Sequence, residues 1–205
     1  MNKEFSIVIA TKNQGKVKEF KNFFSNRVTT LLSLADFPKI PTVKEDGHTF
    51  SENAAKKAFA VSKQTKLLTI ADDSGLEVDF LDGKPGVHSA RFAGENATDE
   101  DNNKLLLKML EGVEEKKRTA RFKASISAAI NGELLVTVNK SCEGIILASP
   151  RGTGGFGYDP IFYVKEAGKT MAELDETEKN KISHRGKTLK ELVLQLKKLF
   201  PEMFK

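Results

Sequence analysis

The chain has 205 residues, of which 39% are hydrophobic and 30% charged; this length can bury a core, and this composition excludes a disordered polymer. Its apolar stretches are far shorter than the roughly 20 residues of a membrane span, and its N-terminus has no secretory pattern, so we expect a cytoplasmic protein with no membrane partner. The 33 Lys and Arg residues against 28 Asp and Glu residues give a net charge of +5, which suits an anionic ligand, but the basic clusters lack the interleaved aromatic residues of a nucleic-acid groove.

The first predicted elements are a buried strand over residues 5–11 and a helix after Gly15, in which apolar residues recur at helical spacing. The polar turn between them suits phosphate binding, because a helix N-terminus offers N–H groups and a lysine adds a positive charge. It is not a Walker A loop, since Ala10 and Val17 stand where that motif has its first glycine and its Ser or Thr. An ordinary capped helix start is the alternative. The candidate binding residues are Thr11, Lys12, Asn13, Gln14, Gly15 and Lys16.

A second helix is predicted over residues 49–63, because Thr49 begins a capping-box pattern. Residues 67–71 then predict a buried strand, with 76–80 as its continuation or its partner. The sequence Asp72-Asp73-Ser74 follows where we expect this strand to stop. Two carboxylates and a hydroxyl favour binding of a hard divalent cation and orientation of a water molecule. A plain turn is the alternative.

A third helix is predicted over residues 99–111. The clearest hairpin pairs residues 119–130 with 133–143, because Asn131-Gly132 tolerates the positive φ angles of a two-residue turn. Cys142, the only cysteine, lies in an alternating apolar stretch of this hairpin. We therefore expect a half-buried strand residue in a reducing compartment, not a catalytic thiol, a disulfide or a zinc ligand.

Residues 151–160 combine four glycines with two aromatic residues. Glycine allows the backbone to approach a flat ligand, and Phe156 is suited to stacking on a base. A glycine-rich hairpin with core aromatics is the alternative. A short strand over residues 161–164 and a helix over residues 170–179, begun by another capping-box pattern, are predicted next.

The last predicted helix begins after Ser183 as its N-cap and carries one apolar face. His184 and Arg185 would place cations at its N-terminus, where they oppose the helix dipole. A bound anion or carbonyl oxygen would remove this conflict, although two solvated basic side chains are the alternative. Without repeats or a linker, the pattern predicts one domain over residues 1–205, with a mixed α/β sheet, a long antiparallel hairpin and flanking helices.

Six short motifs occur in order between residues 11 and 185. They are Thr11-x-Asn13-x-x-Lys16, Gly47-x-Thr49-Phe50-x-Glu52-Asn53-Ala54, Ala71-Asp72-Asp73-Ser74-Gly75-Leu76, Pro85-Gly86-x-x-Ser89-Ala90-Arg91, Gly155-Phe156-Gly157-Tyr158-Asp159-Pro160 and Ser183-His184-Arg185. In these motifs and their order, the chain resembles the inosine/xanthosine triphosphate pyrophosphatase family. The resemblance implies two lobes around a nucleotide cleft, a homodimer, and hydrolysis of ITP, dITP and XTP to the monophosphate and pyrophosphate.

The resemblance also implies roles for individual residues. Asp73 would be the general base and, with Glu45, a ligand of Mg²⁺. Lys16 and Lys57 would hold the leaving phosphates, and Ser74 would contact the substrate. Phe156 would stack on the base and Asp159 would line the pocket. Donors toward the base or the phosphate would come from Lys179, His184 and Arg185, and Gly157 and Tyr158 are also expected to bind the substrate.

One position departs from the family pattern: the first of two acidic residues ahead of Gly47 is Lys44 here. The resemblance therefore leaves the metal ligands other than Asp73 open. Two alternative functions also remain at this point, a pyrophosphatase of the same fold that acts on another base, and a protein that binds nucleotides or nucleic acid without turnover.

Overall fold

The computed structural model describes residues 6–24 and 30–202, and in these ranges it contains one mixed sheet of seven strands in the order β2-β1-β3-β4-β5-β6-β7. The strands are β1 Ser6–Ile9, β2 Thr30–Ser33, β3 Leu68–Val78, β4 Thr119–Ile130, β5 Glu133–Ile146, β6 Phe162–Val164 and β7 Lys169–Thr170. The α-helices are α1 Gln14–Phe24, α2 Phe50–Thr65, α3 Asp99–Met109, α4 Glu176–Ile182 and α5 His184–Leu199. Phe5, the first residue of the predicted first strand, lies outside the described residues.

The sheet combines parallel and antiparallel pairs. Strand β1 runs parallel to both β2 and β3, whereas β6 runs antiparallel to both β5 and β7. The predicted hairpin joins β4 to β5, and its turn residues Asn131 and Gly132 have φ angles of 54° and 79°. The predicted mixed α/β class is therefore confirmed.

The chain divides into two compact units, each assembled from separated segments. The first unit comprises Met1–Asp73, Ala124–Asn139 and Gly186–Lys205, and the second comprises Ser74–Lys123 and Lys140–Arg185. This division concerns packing and does not test independent folding, so the single domain over residues 1–205 stays a prediction.

In the first unit, side chains on both faces of β1 are buried in a core, as expected for a strand in a parallel arrangement. Ile7 and Ile9 belong to a core shared with α1 and the predicted apolar face of α5, whereas Val8 and Ala10 belong to a core shared with α2. The strand therefore reads as a continuous apolar run, and the turn that follows it starts from a rigid base.

The second unit has its own core, built from β3, α3, β5 and β6. Leu76, Leu106 and Phe162 are fully buried in it. Cys142 is also part of this core at 3% exposure, so the prediction of a strand residue is confirmed and its burial is more complete than expected.

The predicted end of the strand before Asp72 is wrong. Strand β3 continues to Val78, so Asp72 and Asp73 lie in its middle and both are buried. A strand interior tolerates carboxylates when ion pairs and hydrogen bonds replace their water, and both acids have such partners.

The predicted helix over residues 170–179 begins too early. Thr170 ends β7, and its N–H donates to Glu173 Oε2 at 2.7 Å within a turn. Helix α4 begins only after Asp175, which forms a complete capping box with Glu178. Two overlapping capping patterns compete here, and the second one is used.

The structure differs from the sequence prediction at two further points. Thr49 caps α2 by accepting from the Glu52 N–H at 3.1 Å, but the Glu52 carboxylate accepts from the His48 N–H. Strand β2 was not predicted, since four half-buried edge residues give little pattern. Among the described residues, no helix is long and apolar enough to cross a membrane.

Candidate active site

Asp73 is held in the first unit by one oriented amide. Asn53, on the buried face of α2, donates from Nδ2 to Asp73 Oδ2 at 2.9 Å. Its own Oδ1 accepts from the Gly47 N–H at 2.8 Å. Because this N–H must face an oxygen, the amide has one orientation, and its nitrogen points at the carboxylate.

Burial raises the pKa of the Asp73 carboxyl, because a charged group loses its hydration there. Lys57, Lys16 and the Asn53 amide act in the opposite direction, and the negative charge of Glu45 adds to the rise. The loss of hydration prevails, so the pKa lies above that of an ordinary aspartate. A carboxylate in this state is a better proton acceptor than one in water.

The two predicted phosphate-binding lysines meet at Asp72. Lys16 Nζ lies 2.6 Å from Asp72 Oδ2, and Lys57 Nζ donates to the Asp72 carbonyl oxygen at 2.8 Å. Lys57 also contacts Glu45 Oε2 at 2.7 Å. These contacts join Asp72, Lys16, Lys57 and Glu45, and the charges of Lys57, Lys16 and Glu45 act on Asp73. We call these five residues the ionic cluster.

The predicted phosphate turn precedes α1, and Lys16 lies in the first turn of that helix. Asn13 Oδ1 accepts from the Lys16 N–H at 3.0 Å, and Thr11 Oγ1 accepts from the Asn13 N–H at 3.2 Å. Lys12 donates to Thr42 Oγ1 at 2.8 Å and is exposed. Side chains of the turn therefore support its backbone, and Lys16 extends from it to Asp72 in the ionic cluster.

Glu45 belongs to the ionic cluster, whereas Lys44 does not. The side chain of Lys44 is 84% exposed and lies 3.9 Å from Asp46 Oδ2, and Asp46 also pairs with Lys56. Within residues 6–24 and 30–202, no three His, Cys, Asp or Glu side chains are grouped to hold a metal ion. The departure at Lys44 thus leaves Glu45 and Asp73 as the predicted metal ligands.

A second group of predicted site residues forms around Phe156 in the second unit. Asp159 Oδ2 accepts from Lys179 Nζ at 2.7 Å and from the Phe156 N–H at 2.9 Å. Lys179 Nζ lies 5.0 Å and Arg185 Cζ 5.6 Å from the centre of the Phe156 ring. Both distances are in the range of cation–π attraction. We call Phe156, Asp159, Lys179 and Arg185 the aromatic cluster.

Contacts at the start of α5 involve three more residues of the second unit, Ser74, Phe122 and His184. Arg185 donates to Ser74 Oγ at 2.8 Å, which joins the motif at residues 71–76 to the start of α5. The His184 ring stacks on Phe122 with centroids 4.8 Å apart. His184 and Arg185 are both buried, so the alternative of two solvated basic side chains is wrong.

The remaining loop residues act through backbone and packing. A Cβ at Gly155 would clash with the Asp159 carboxylate, and its φ of 74° also favours glycine. Tyr158 is buried in the core of the second unit, and its hydroxyl donates to the Ser89 carbonyl oxygen at 2.8 Å. Burial also raises the pKa of Tyr158, so the phenol stays neutral.

Sequence reasoning gave Asn53 no role and considered Asp72 only as one carboxylate of a candidate cation site. A signal for Asn53 existed, because Asn53 and Lys57 are one turn apart on a helix face that is otherwise mostly apolar and small. Both side chains are buried, at 2% and 8% exposure. Polar residues at such positions need partners, and these come from Asp73 for Asn53 and from Asp72 and Glu45 for Lys57.

Comparison with known proteins places the chain among relatives of nearly equal length. It is 55% identical over 186 residues to the dITP/XTP pyrophosphatase of Geobacillus kaustophilus (strain HTA426), covering 91% of each chain. It is 52% identical over 185 residues to the dITP/XTP pyrophosphatase of Bacillus subtilis (strain 168), covering 90% of this chain and 93% of that one.

Solved structures agree with the sequence matches. A HAM1 protein from Coxiella burnetii superposes with a TM-score of 0.84 at 40% identity, covering 95% of this chain and 99% of that one. The Staphylococcus aureus Ham1 protein gives a TM-score of 0.81 at 41% identity, with coverage of 94% and 98%. The family model described as the Ham1 family matches residues 7–195. These matches confirm the family resemblance found in the six motifs, and the chain belongs to the Ham1 family.

Proposed function

We propose that this protein hydrolyses aberrant purine nucleoside triphosphates, namely dITP, ITP and XTP, to the monophosphate and pyrophosphate, and so removes them from the nucleotide pool. The observation that carries the proposal is the ionic cluster, in which a buried base, Asp73, lies among lysines suited to phosphate. The names of relatives at 50% identity or more over at least 89% of this chain support it.

In this proposal Asp73 orients a water molecule and takes its proton as the water attacks the α-phosphorus. The Asn53 amide holds the carboxylate in one orientation, so little reorganisation is needed at the moment of reaction. The bond between the α-phosphorus and the bridging oxygen breaks, and pyrophosphate leaves.

Lys16 and Lys57 bind the β- and γ-phosphates. Without substrate, the buried ammonium group of Lys57 and the partly buried one of Lys16 are neutralised by Glu45 and Asp72. Phosphate oxygens become further partners of these ammonium groups when the triphosphate enters, since each ammonium has three donors. The cations and their carboxylates therefore stay paired at every stage, which avoids the cost of a buried unpaired charge.

Glu45 and Asp73 are the residues that would hold Mg²⁺. Magnesium takes one or two carboxylates together with water and substrate phosphates, and seldom a cage made only of protein ligands. Two carboxylates that influence each other's charge fit this pattern, as do the oxygen donors they supply. When bound, the ion offsets negative charge on the phosphate oxygens.

The aromatic cluster binds the base. Phe156 stacks on the purine ring, and Lys179, His184 and Arg185 supply donors for its 6-keto oxygen. Adenine carries a 6-amino group at that position, so donor would face donor and a buried polar group would stay unpaired. The cytoplasmic location and the homodimer stay predictions.

A substrate panel tests the proposal. Purified protein is incubated with XTP, ITP, dITP, GTP and ATP, with magnesium and with a chelator, and products are separated by anion exchange. We expect monophosphate and pyrophosphate from the first three with magnesium, and little turnover of GTP or ATP. Equal rates for all five would contradict base selectivity, and tight binding without any monophosphate would favour a nucleotide sensor.

A further inference from the structure

Two side chains of helix α3 form hydrogen bonds to the backbone of the glycine-rich loop at Gly157. The Gly157 N–H donates to Asp99 Oδ2 at 2.6 Å, and the Gly157 carbonyl accepts from Asn103 Nδ2 at 3.0 Å. Asp99 and Asn103 are four residues apart, and therefore on one face of α3. One helix face thus holds both polar groups of a single residue in the loop.

These contacts are not part of the ordinary capping of α3. Thr98 and Asp101 form the complete capping box of that helix, so Asp99 is not needed for it. Asn103 is buried, at 9% exposure. The neighbouring Asn102 contacts a different segment, because it accepts from the Ala93 N–H and donates to the Ala90 carbonyl oxygen. Asp99 and Asn103 are therefore specifically directed at the loop.

These hydrogen bonds restrain Phe156, the residue that stacks on the base in the proposed function. The Phe156 N–H is bound by Asp159, and the next N–H, that of Gly157, is bound by Asp99. Peptide planes on both sides of the Phe156 Cα are thereby restrained, which sets the direction of its side chain. Helix α3 is a firm support, because Leu106 and Leu110 at its other end are fully buried.

We propose that Asp99 and Asn103 are positioning residues that set the placement of the Phe156 ring and, through it, the selectivity for the base. This inference rests on the proposed function only for its second half. Because the N–H groups of Phe156 and Gly157 are bound to carboxylates, the loop discriminates through the position of the ring and not through these donors.

The first test does not require turnover. The chain has no tryptophan, so Phe156→Trp places a single tryptophan in the loop, which is excited at a wavelength where tyrosine does not absorb. We expect Asp99→Ala in this background to increase acrylamide quenching of the tryptophan at least twofold. Asp99→Asn, whose amide oxygen can still accept from the Gly157 N–H, should restore most of the protection. Glu100→Ala is the matched control, because Glu100 is exposed and its carboxylate pairs with Lys104 of the same helix.

The second test uses the natural Phe156. We expect Asp99→Ala and Asn103→Ala to lower the ratio of kcat/KM for XTP over ATP about 10-fold, mainly through KM for XTP, because small misplacements of a binding group have large kinetic effects. Asp99→Asn should recover the ratio. If Asp99→Ala does not fold, Asn103→Ser and Asp99→Asn are compared instead.

The outcomes separate the two claims. If Asp99→Ala and Asn103→Ala both show the same quenching and the same selectivity as the Glu100→Ala control, the positioning role of Asp99 and Asn103 is overturned. A wild-type protein that hydrolyses none of the nucleotides would overturn the proposed function. Increased quenching in Asp99→Ala would in that case still support the role of Asp99 in positioning the loop.

Discussion

The ionic cluster of the first unit and the aromatic cluster of the second unit are built in opposite ways. In the ionic cluster, side chains from β3, α1 and α2 hold one another through charge, as in the Lys16–Asp72 pair. Around the aromatic cluster, side chains hold a backbone, as when Asp159 and Asp99 bind successive N–H groups. One region depends on which charges are present, and the other depends on where a ring is placed.

This difference teaches where each region is vulnerable. Removing one charge from the ionic cluster changes both the burial of charge and the pairing of its neighbours, so effects there should be large and should include stability. Changes near Phe156 should mostly alter which base is accepted. The predictions below test that contrast, starting with the largest effect.

Asp73→Asn should lower kcat for XTP roughly 10³-fold, because the variant has no general base and loses a carboxylate for the metal. The amide keeps the size of the side chain and can still accept from Asn53. Steady-state rates of pyrophosphate release measure the effect. Asp82→Asn, in an exposed turn, is the control, and activity within a few-fold of wild type in Asp73→Asn would remove Asp73 from the mechanism.

Phe156→Ala should raise KM for XTP roughly 5- to 150-fold, as expected from the loss of one stacked base worth about 1–3 kcal/mol. The change in kcat should be smaller, because the ionic cluster is intact. Phe59→Ala removes an exposed phenylalanine of the first unit and serves as the control. A loss confined to kcat would contradict the division of roles between the two clusters.

The stability of the magnesium-free protein should depend on Asp73 in the direction opposite to its activity. Because burial raises the pKa of this acid, the folded state disfavours its ionised form. The resulting cost is fully present above the folded pKa and disappears as the pH falls toward the ordinary value of 3.8. Asp73→Asn should therefore stabilise the protein at pH 7.

Urea unfolding of both proteins in a chelator, at neutral and at acidic pH, measures this difference. The gain should shrink as the pH falls. A variant that is less stable than wild type at neutral pH would show that the attraction of Lys16 and Lys57 outweighs the burial of Asp73.

Lys44→Met should have the smallest effect, less than about twofold on the magnesium concentration needed for half-maximal rate. The side chain is exposed, and charges in water interact weakly. Magnesium titrations of the rate at constant XTP measure it. A severalfold gain in magnesium affinity would show that Lys44 repels the metal.

Local rules predicted much of the fold. Asn131-Gly132 located the hairpin, and the apolar spacing after Ser183 located α5, because both depend on neighbours in sequence. The sequence prediction ended strand β3 before Asp72, whereas β3 continues to Val78. The reason is that the partners of the buried Asp72, which are Lys16 and Lys57, are distant in sequence. The start of α4 was misplaced because two capping patterns overlap.

The candidate site was predicted unevenly for the same reason. Asp73, Lys16 and Phe156 carry recognisable chemistry in short motifs. Asn53 and Asp99 work through hydrogen bonds to residues 20 and 58 positions away, and no local pattern encodes such partners. The side chains that perform chemistry are easier to predict than those that position them.

The most direct test of the central claim, attack of an Asp73-activated water on the α-phosphorus, is hydrolysis of XTP in water enriched in heavy oxygen, followed by mass spectrometry of both products. The account predicts that the heavy oxygen appears in the monophosphate and not in the pyrophosphate. Label found in pyrophosphate, or in free phosphate accompanied by a diphosphate, would contradict it.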